Sequence, residues 1–183
     1  MRLLAISGSL RAHSSNGELI RALSTLAAPA IHVDVYAGLG DLPAFNPDLD
    51  EEGMIPPPAV QTLRRALGDA DGLVISSPEY AHGVPGALKN ALDWLVSGPE
   101  MVSKPVGLLN ASPRSVHAQQ SLAETLRTMS ATLVEDACLA LPVSGRGLTA
   151  ETIITDVELR TRLEGVLRAM VSVAERSSIR NGN

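Results

Sequence analysis

Residues 6–18 read Ile-Ser-Gly-Ser-Leu-Arg-Ala-His-Ser-Ser-Asn-Gly-Glu, a run of hydroxyls with one fixed cation, Arg11. The apolar run Leu3–Ile6 leads into it, and Leu19, Ile20, Leu23 and Leu26 lead out at helical spacing. This is the pattern of strand, loop and helix, with the loop at the strand's carboxyl end. Ser15 and Glu18 have the spacing of a capping box, which predicts a helix beginning near Asn16. A helix start carries unpaired N–H groups and roughly half a positive charge, so it suits an anion. Ser9, Ser14, Ser15 and Asn16 add neutral donors around Arg11. The chemistry on offer is the holding of a phosphate; the bland alternative is an ordinary capped turn rich in serine.

What the loop lacks narrows the phosphate. It has no Gly-x-x-x-x-Gly-Lys-Ser/Thr and no Gly-x-Gly-x-x-Gly. One arginine, hydroxyls and a helix dipole suit a dianionic monoester better than a triphosphate. The phosphate of flavin mononucleotide (FMN) fits that description.

Two further loops carry unusual residues: Ser76-Ser77-Pro78-Glu79-Tyr80-Ala81-His82-Gly83-Val84-Pro85-Gly86 and Asn110-Ala111-Ser112-Pro113-Arg114. Each follows a continuous apolar run, Gly72–Ile75 or Pro105–Leu109, as expected of central parallel strands covered on both faces. A shorter strand is predicted at Ile31–Val35, and a fifth begins at Thr132-Leu133-Val134 and extends towards Cys138-Leu139. Helices are predicted between the strands, one stopping at Ser97-Gly98-Pro99, with a last one from about Val157 to Glu175. Strands alternating with helices imply an α/β doubly wound fold, a three-layer sandwich around a five-stranded parallel sheet. With the order 2-1-3-4-5, the loops after strands one, three and four meet at the switch point where such sheets bind ligands.

The length of 183 residues predicts one domain, spanning 1–176, with a polar, frayed tail at 177–183. Hydrophobic residues make up 45% of the chain and aromatics only 2%, so its core must be aliphatic. The net charge of −5 offers no basic surface for nucleic acid, and no apolar run approaches a membrane span. Cys138 is the sole cysteine, which precludes an internal disulfide and argues against structural zinc. No metal site is expected, and a cytoplasmic location is.

Gly8-Ser9-Leu10-Arg11-x-x-Ser14-x-Asn16, Pro78-Glu79-Tyr80 and the run Pro85-Gly86-Ala87-Leu88-Lys89-Asn90-Ala91-Leu92-Asp93-Trp94 together resemble the NADPH-dependent FMN reductase family, which has the flavodoxin-like fold. Leu42-Pro43-x-Phe45-Asn46-Pro47-Asp48 and Ala118-Gln119-x-x-Leu122 resemble further signatures of that family. The resemblance implies an FMN-binding homodimer, often paired into a homotetramer, which takes hydride from NADPH or NADH. Its small-molecule electron acceptors would be flavins, quinones, azo dyes or metal oxyanions. Carried over by position, Ser9, Arg11, Ser14, Ser15 and Asn16 would hold the FMN phosphate. Pro78, Glu79 and Tyr80 would lie along the flavin ring, with Ala81, His82 and Gly83 continuing that loop and Ser112 contributing from the third. The chain departs from the family where Ala81 replaces a usual Asn and Gly83 a common Ser. It departs again where Ser112-Pro113 runs into Arg114-Ser115-Val116-His117 instead of a glycine-rich turn.

Hydride transfer to a flavin is the cofactor's own chemistry, so no acid–base dyad is required. His82 is the one titratable side chain expected near the ring; simple solvation is its other reading. Glu79 either anchors its loop or touches ligand, Trp94 packs in the core or at an interface, and Phe45 covers a flavin or packs its own loop. Two competing functions share the fold: an electron carrier of the flavodoxin type and a flavin-binding protein without catalysis.

Overall fold

The computed structural model describes residues 1–181 apart from 28 and 30. Its strands are β1 (Arg2–Ser7), β2 (His32–Tyr36), β3 (Gly72–Ser76), β4 (Pro105–Asn110), β5 (Thr132–Leu133) and β6 (Leu139–Ala140). Its α-helices are α1 (Ser15–Leu26), α2 (Pro58–Gly68), α3 (Gly86–Asp93), α4 (Val116–Thr128), α5 (Ala150–Thr155) and α6 (Val157–Asn181). The strands pair in parallel in the order β2-β1-β3-β4-β5, with β6 also on β4. The fold is flavodoxin-like, as expected.

Side chains of successive strand residues point to opposite faces, and that alternation builds the three layers. Leu4 and Ile6 of β1, with Leu73 and Ile75 of β3, meet Leu63, Leu67, Leu88, Leu92 and Leu122 from α2, α3 and α4. Leu3 and Ala5, with Val74, meet Leu19, Leu23, Leu163, Leu167 and Met170 from α1 and α6. Ser7 stands opposite Ser76, and Ser76 opposite Leu109, so the carboxyl ends of β1, β3 and β4 are level. The three polar loops therefore open along one edge of the sheet.

Four elements differ from the sequence expectation. The fifth strand is broken into β5 and β6 by a 3-10 turn at Glu135–Ala137. Pairing to β4 lapses there because the turn sits on Gly107, where an added Cβ would lie 3.0 Å from that of Ala137. Helix α3 stops at Asp93 and continues as turns through Ser97. A short helix, α5, precedes the last one and is started by Thr149 and Thr152, whose side chains form a reciprocal capping box. Helix α6 runs on to Asn181, through most of the stretch read as a frayed tail; after Gly165 it contains no Gly or Pro. The end of that tail, at 182–183, lies outside the described residues.

The long segment between β2 and α2 is pinned by two family motifs acting on each other. Asn90 donates from Nδ2 to the Pro43 carbonyl at 2.9 Å and accepts the Phe45 N–H at 2.8 Å. Trp94, fully buried, donates from Nε1 to the same Pro43 carbonyl at 2.8 Å. Phe45 meets the Trp94 ring edge-on with centroids 5.0 Å apart, so both aromatics serve packing within the chain. Farther along, Arg64 bonds the Asp50 carboxylate, the Trp94 carbonyl and Ser97.

Candidate functional site

The first loop, residues 8–15, follows β1 and is shaped by close approach. Gly8 donates its N–H to the Ser76 carbonyl at 2.8 Å, and a Cβ there would lie 2.9 Å from Ser77 Oγ. A side chain at position 8 would have to displace Ser77 Oγ and the Leu88 side chain. The residue that caps α1 is Ser14, not Ser15: its Oγ accepts the Gly17 N–H at 3.0 Å, and its carbonyl accepts the Glu18 N–H. Such a cap is worth about 1 kcal/mol. The N–H groups of Ser15 and Asn16 are left at the helix start with no protein partner among the described residues. Glu18 is no capping-box partner. Its carboxylate takes Arg21 and the Ala150 N–H, clipping α1 to α5. Arg21 and Ala150 hold that carboxyl below its usual titration range.

Asn16 is only 5% exposed, and its side chain turns into the scaffold rather than outward. Its Oδ1 accepts from Ser76 Oγ at 2.9 Å and from the Ala111 N–H at 3.3 Å. One carboxamide thus ties α1 to the ends of β3 and β4. Arg11 is exposed and makes no ion pair among the described residues. Ser9 Oγ accepts the Arg11 N–H and lies 3.4 Å from the Tyr80 hydroxyl, joining the first loop to the second.

The second loop, residues 77–85, contains a two-residue reverse turn. Tyr80 and Gly83 exchange backbone hydrogen bonds of 3.1 and 2.9 Å. Between them Ala81 has φ 48° and His82 φ 59°, both in the left-handed region. That conformation costs a non-glycine residue on the order of 1–2 kcal/mol. Asn is among the few side chains that tolerate it, so backbone geometry alone accounts for an asparagine preference at position 81. Tyr80 is 53% exposed.

Glu79 resolves as an anchor. Its Oε2 accepts the Ala118 N–H at 2.8 Å and caps α4, a service Ser115 at the N-cap does not perform. A carboxylate at a helix N-terminus also has the favourable sign. His82 stacks on His117 at the start of α4, with centroids 4.3 Å apart and ring planes 13° apart. Pro78 and Gly83 are half-buried along the same loop.

The third loop is organised by Asn110, 4% exposed, which sequence reasoning passed over. Its Oδ1 accepts the Ser112 N–H at 2.8 Å and its Nδ2 donates to the Ser115 carbonyl at 2.7 Å. A carboxamide ending an otherwise apolar central strand was the available signal. Ser112 is half-buried, and its Oγ accepts the Arg114 N–H at 3.3 Å. The structure therefore joins Ser9 to Tyr80 and Asn16 to Ser76 and Ala111 at the carboxyl edge of the sheet, while the side chains of Arg11 and His13 stay exposed. A separate open hollow of about 450 Å³ lies by β2 and α2, lined by Arg2, Tyr36, Asp41 and Thr62 among others and by no residue of the three loops.

The sequence profile described as NADPH-dependent FMN reductase matches residues 1–145. The chain belongs to that family. A quinone reductase of Escherichia coli K12 is 37% identical over 115 residues, covering 61% of this chain and 60% of that protein. The match thus spans about three-fifths of that relative's length. An NAD(P)H-dependent FMN reductase of Pseudomonas aeruginosa is 35% identical over 131 residues, 69% of each chain. Among solved structures, FerB of Paracoccus denitrificans, a flavoenzyme NAD(P)H:(acceptor) oxidoreductase, superposes with a TM-score of 0.77 at 26% identity. That superposition covers 96% of this chain and 97% of FerB. The three loops described above occupy the carboxyl edge of the sheet, where α/β folds of this kind take their ligands.

Proposed function

We propose that this chain is an FMN-dependent NAD(P)H oxidoreductase that delivers electrons to a flavin, a quinone or a similar small acceptor. The observation that carries the reading is the first loop: a capped helix start with two N–H groups and an Arg11 guanidinium that have no partner among the described residues, joined through Asn16 to the ends of β3 and β4. The donor set fits a phosphate monoester in kind and in charge. Ser9, Arg11, Ser15 and the Ser15 and Asn16 N–H groups would hold it; the side chains of Ser14 and Asn16 build the frame. Pro78, Glu79, Tyr80, Ala81, His82 and Gly83 form the loop that would border the flavin ring, with Ser112 at its far side. FMN, when bound, supplies the hydride and electron chemistry. The chain's own residues orient the ring and fix the phosphate. None needs to move a proton: Glu79 is committed to α4 and His82 to His117.

The proposal extends to one domain over residues 1–176 and a cytoplasmic setting, supported by the length and composition of the chain, and to a homodimer, paired or not into a tetramer, supported by the family resemblance. The test is direct. Purified protein with added FMN should oxidise NADPH in the presence of a benzoquinone, with parallel lines in double-reciprocal plots because both ligands must reach one flavin. Flavin reduction without turnover of the quinone points instead to a carrier that needs a protein partner. No reduction at all points to a flavin-binding protein without catalysis. Sedimentation velocity reads the oligomeric state.

A further inference from the structure

We propose that His117, on α4 and outside the three loops, is a positioning residue for the second loop and thereby for the flavin ring. The inference rests on the functional reading above. Four observations carry it. The turn at Tyr80–Gly83 holds two non-glycine residues, Ala81 and His82, in the left-handed region. Its own backbone supplies only the pair of hydrogen bonds between Tyr80 and Gly83. His82, the second of the strained residues, lies flat against His117 with centroids 4.3 Å apart. The next residue of α4, Ala118, takes the Glu79 carboxylate.

The loop is therefore fastened just before the turn, at Glu79, and within it, at His82, to two consecutive residues of one helix. Both fastenings reach α4 and neither reaches β3. The turn is thus held to the first loop by the single Ser9–Tyr80 contact and to α4 at two points. Face-to-face contact between flat rings favours one orientation of the turn out of those its backbone permits. Without it, the fastenings left are Glu79 and the Tyr80 hydroxyl, both on the N-terminal side of the strained pair, and residues 81–83 are free to shift. His117 touches no element of the first loop in any contact described above, so its influence falls on the ring and leaves the phosphate grip alone.

The experiment titrates apoprotein with FMN and, separately, with riboflavin, reading flavin fluorescence and the visible circular dichroism of the bound ring. His117→Ala is expected to weaken both ligands by the same factor, roughly three- to tenfold, the range for loss of one aromatic contact. It should also alter the dichroism of the bound flavin. His117→Phe keeps a flat ring and should restore affinity and dichroism to within about twofold. Three results would overturn the proposal: affinities unchanged in His117→Ala, a loss confined to FMN, or no rescue by His117→Phe. Wild-type protein that binds neither flavin would instead remove the functional reading, and this inference with it.

Discussion

In the loop after β1, the side chains that build the frame, Ser14 and Asn16, are buried and bonded to the elements around them. Asn16 serves Ser76 and Ala111, and Ser14 serves Gly17. In the loop after β3, the turn is exposed at Tyr80, strained at Ala81 and His82, and fastened mainly from outside. The first arrangement is rigid because removing any member strands a buried partner, which costs about 1–3 kcal/mol for each group left unsatisfied. The second tolerates change at its turn, where the side chains of Tyr80, Ala81 and His82 are exposed and the hydrogen bonds that close it belong to the backbone. A site built this way keeps a constant grip on one end of a ligand and leaves the other end open to adjustment between relatives. The departures at Ala81 and Gly83 fall in the adjustable loop, while Gly8, Ser9, Arg11, Ser14 and Asn16 in the rigid one match the family pattern.

The largest effect is expected where that rigidity is removed. Asn16→Ala strands Ser76 Oγ and the Ala111 N–H, and should lower stability by about 2–4 kcal/mol, read from the urea midpoint. A loss below 1 kcal/mol would mean that the first loop is no better braced than the second. Next comes Arg11→Ala, which should weaken FMN by about 1.5–3 kcal/mol, the worth of a charge-assisted hydrogen bond, and leave riboflavin unchanged. Equal losses for the two flavins would place Arg11 at the ring.

Smaller effects sharpen the contrast from the other side. Glu79→Ala removes the cap of α4 and should cost about 1 kcal/mol of stability, detectable as a lower thermal midpoint. Ala81→Asn relieves a left-handed backbone and should raise stability by about 0.5–1 kcal/mol even without ligand. If the gain appears only with FMN bound, a hydrogen bond to the flavin, and not the backbone, explains the preference at that position.

The smallest effect concerns the underside of the first loop. Glu18 is held below the ordinary glutamate value of about 4.3 by Arg21 and the Ala150 N–H. A depressed carboxyl contributes stability above the unfolded value and loses it as pH falls through the folded one. Glu18→Gln should therefore reduce stability at neutral pH and flatten its decline below about pH 4. An unchanged acid limb in urea titrations would remove Glu18 from the account.

The apolar runs of β1 and β3, the strand order and the three polar loops were all legible in the sequence, because burial on both faces leaves a continuous apolar run. Capping was less so. Ser14 and Ser15 are adjacent hydroxyls with equal claims, and Glu18 had the right spacing for a partner it does not take. The duties of Asn16 and Glu79 were illegible for a different reason: their partners lie far off, at Ala111 and Ala118, and local spacing carries no trace of them. The stack of His82 on His117 was hidden in the same way. The break between β5 and β6 depends on Gly107 across the sheet, so the run from Thr132 to Leu139 by itself suggested one strand.

That break has a consequence for how molecules of this protein meet at high concentration. The margin of a sheet beyond β4 would ordinarily offer a row of unpaired amides on which a foreign strand can grow. Here two-residue strands are separated by a 3-10 turn whose Ala137 N–H bonds back to Val134, so pairing groups on that side come in short, misaligned pieces. An incoming strand finds no continuous template there. Gly107, by making room for the turn, helps keep neighbouring molecules from joining their sheets along this margin.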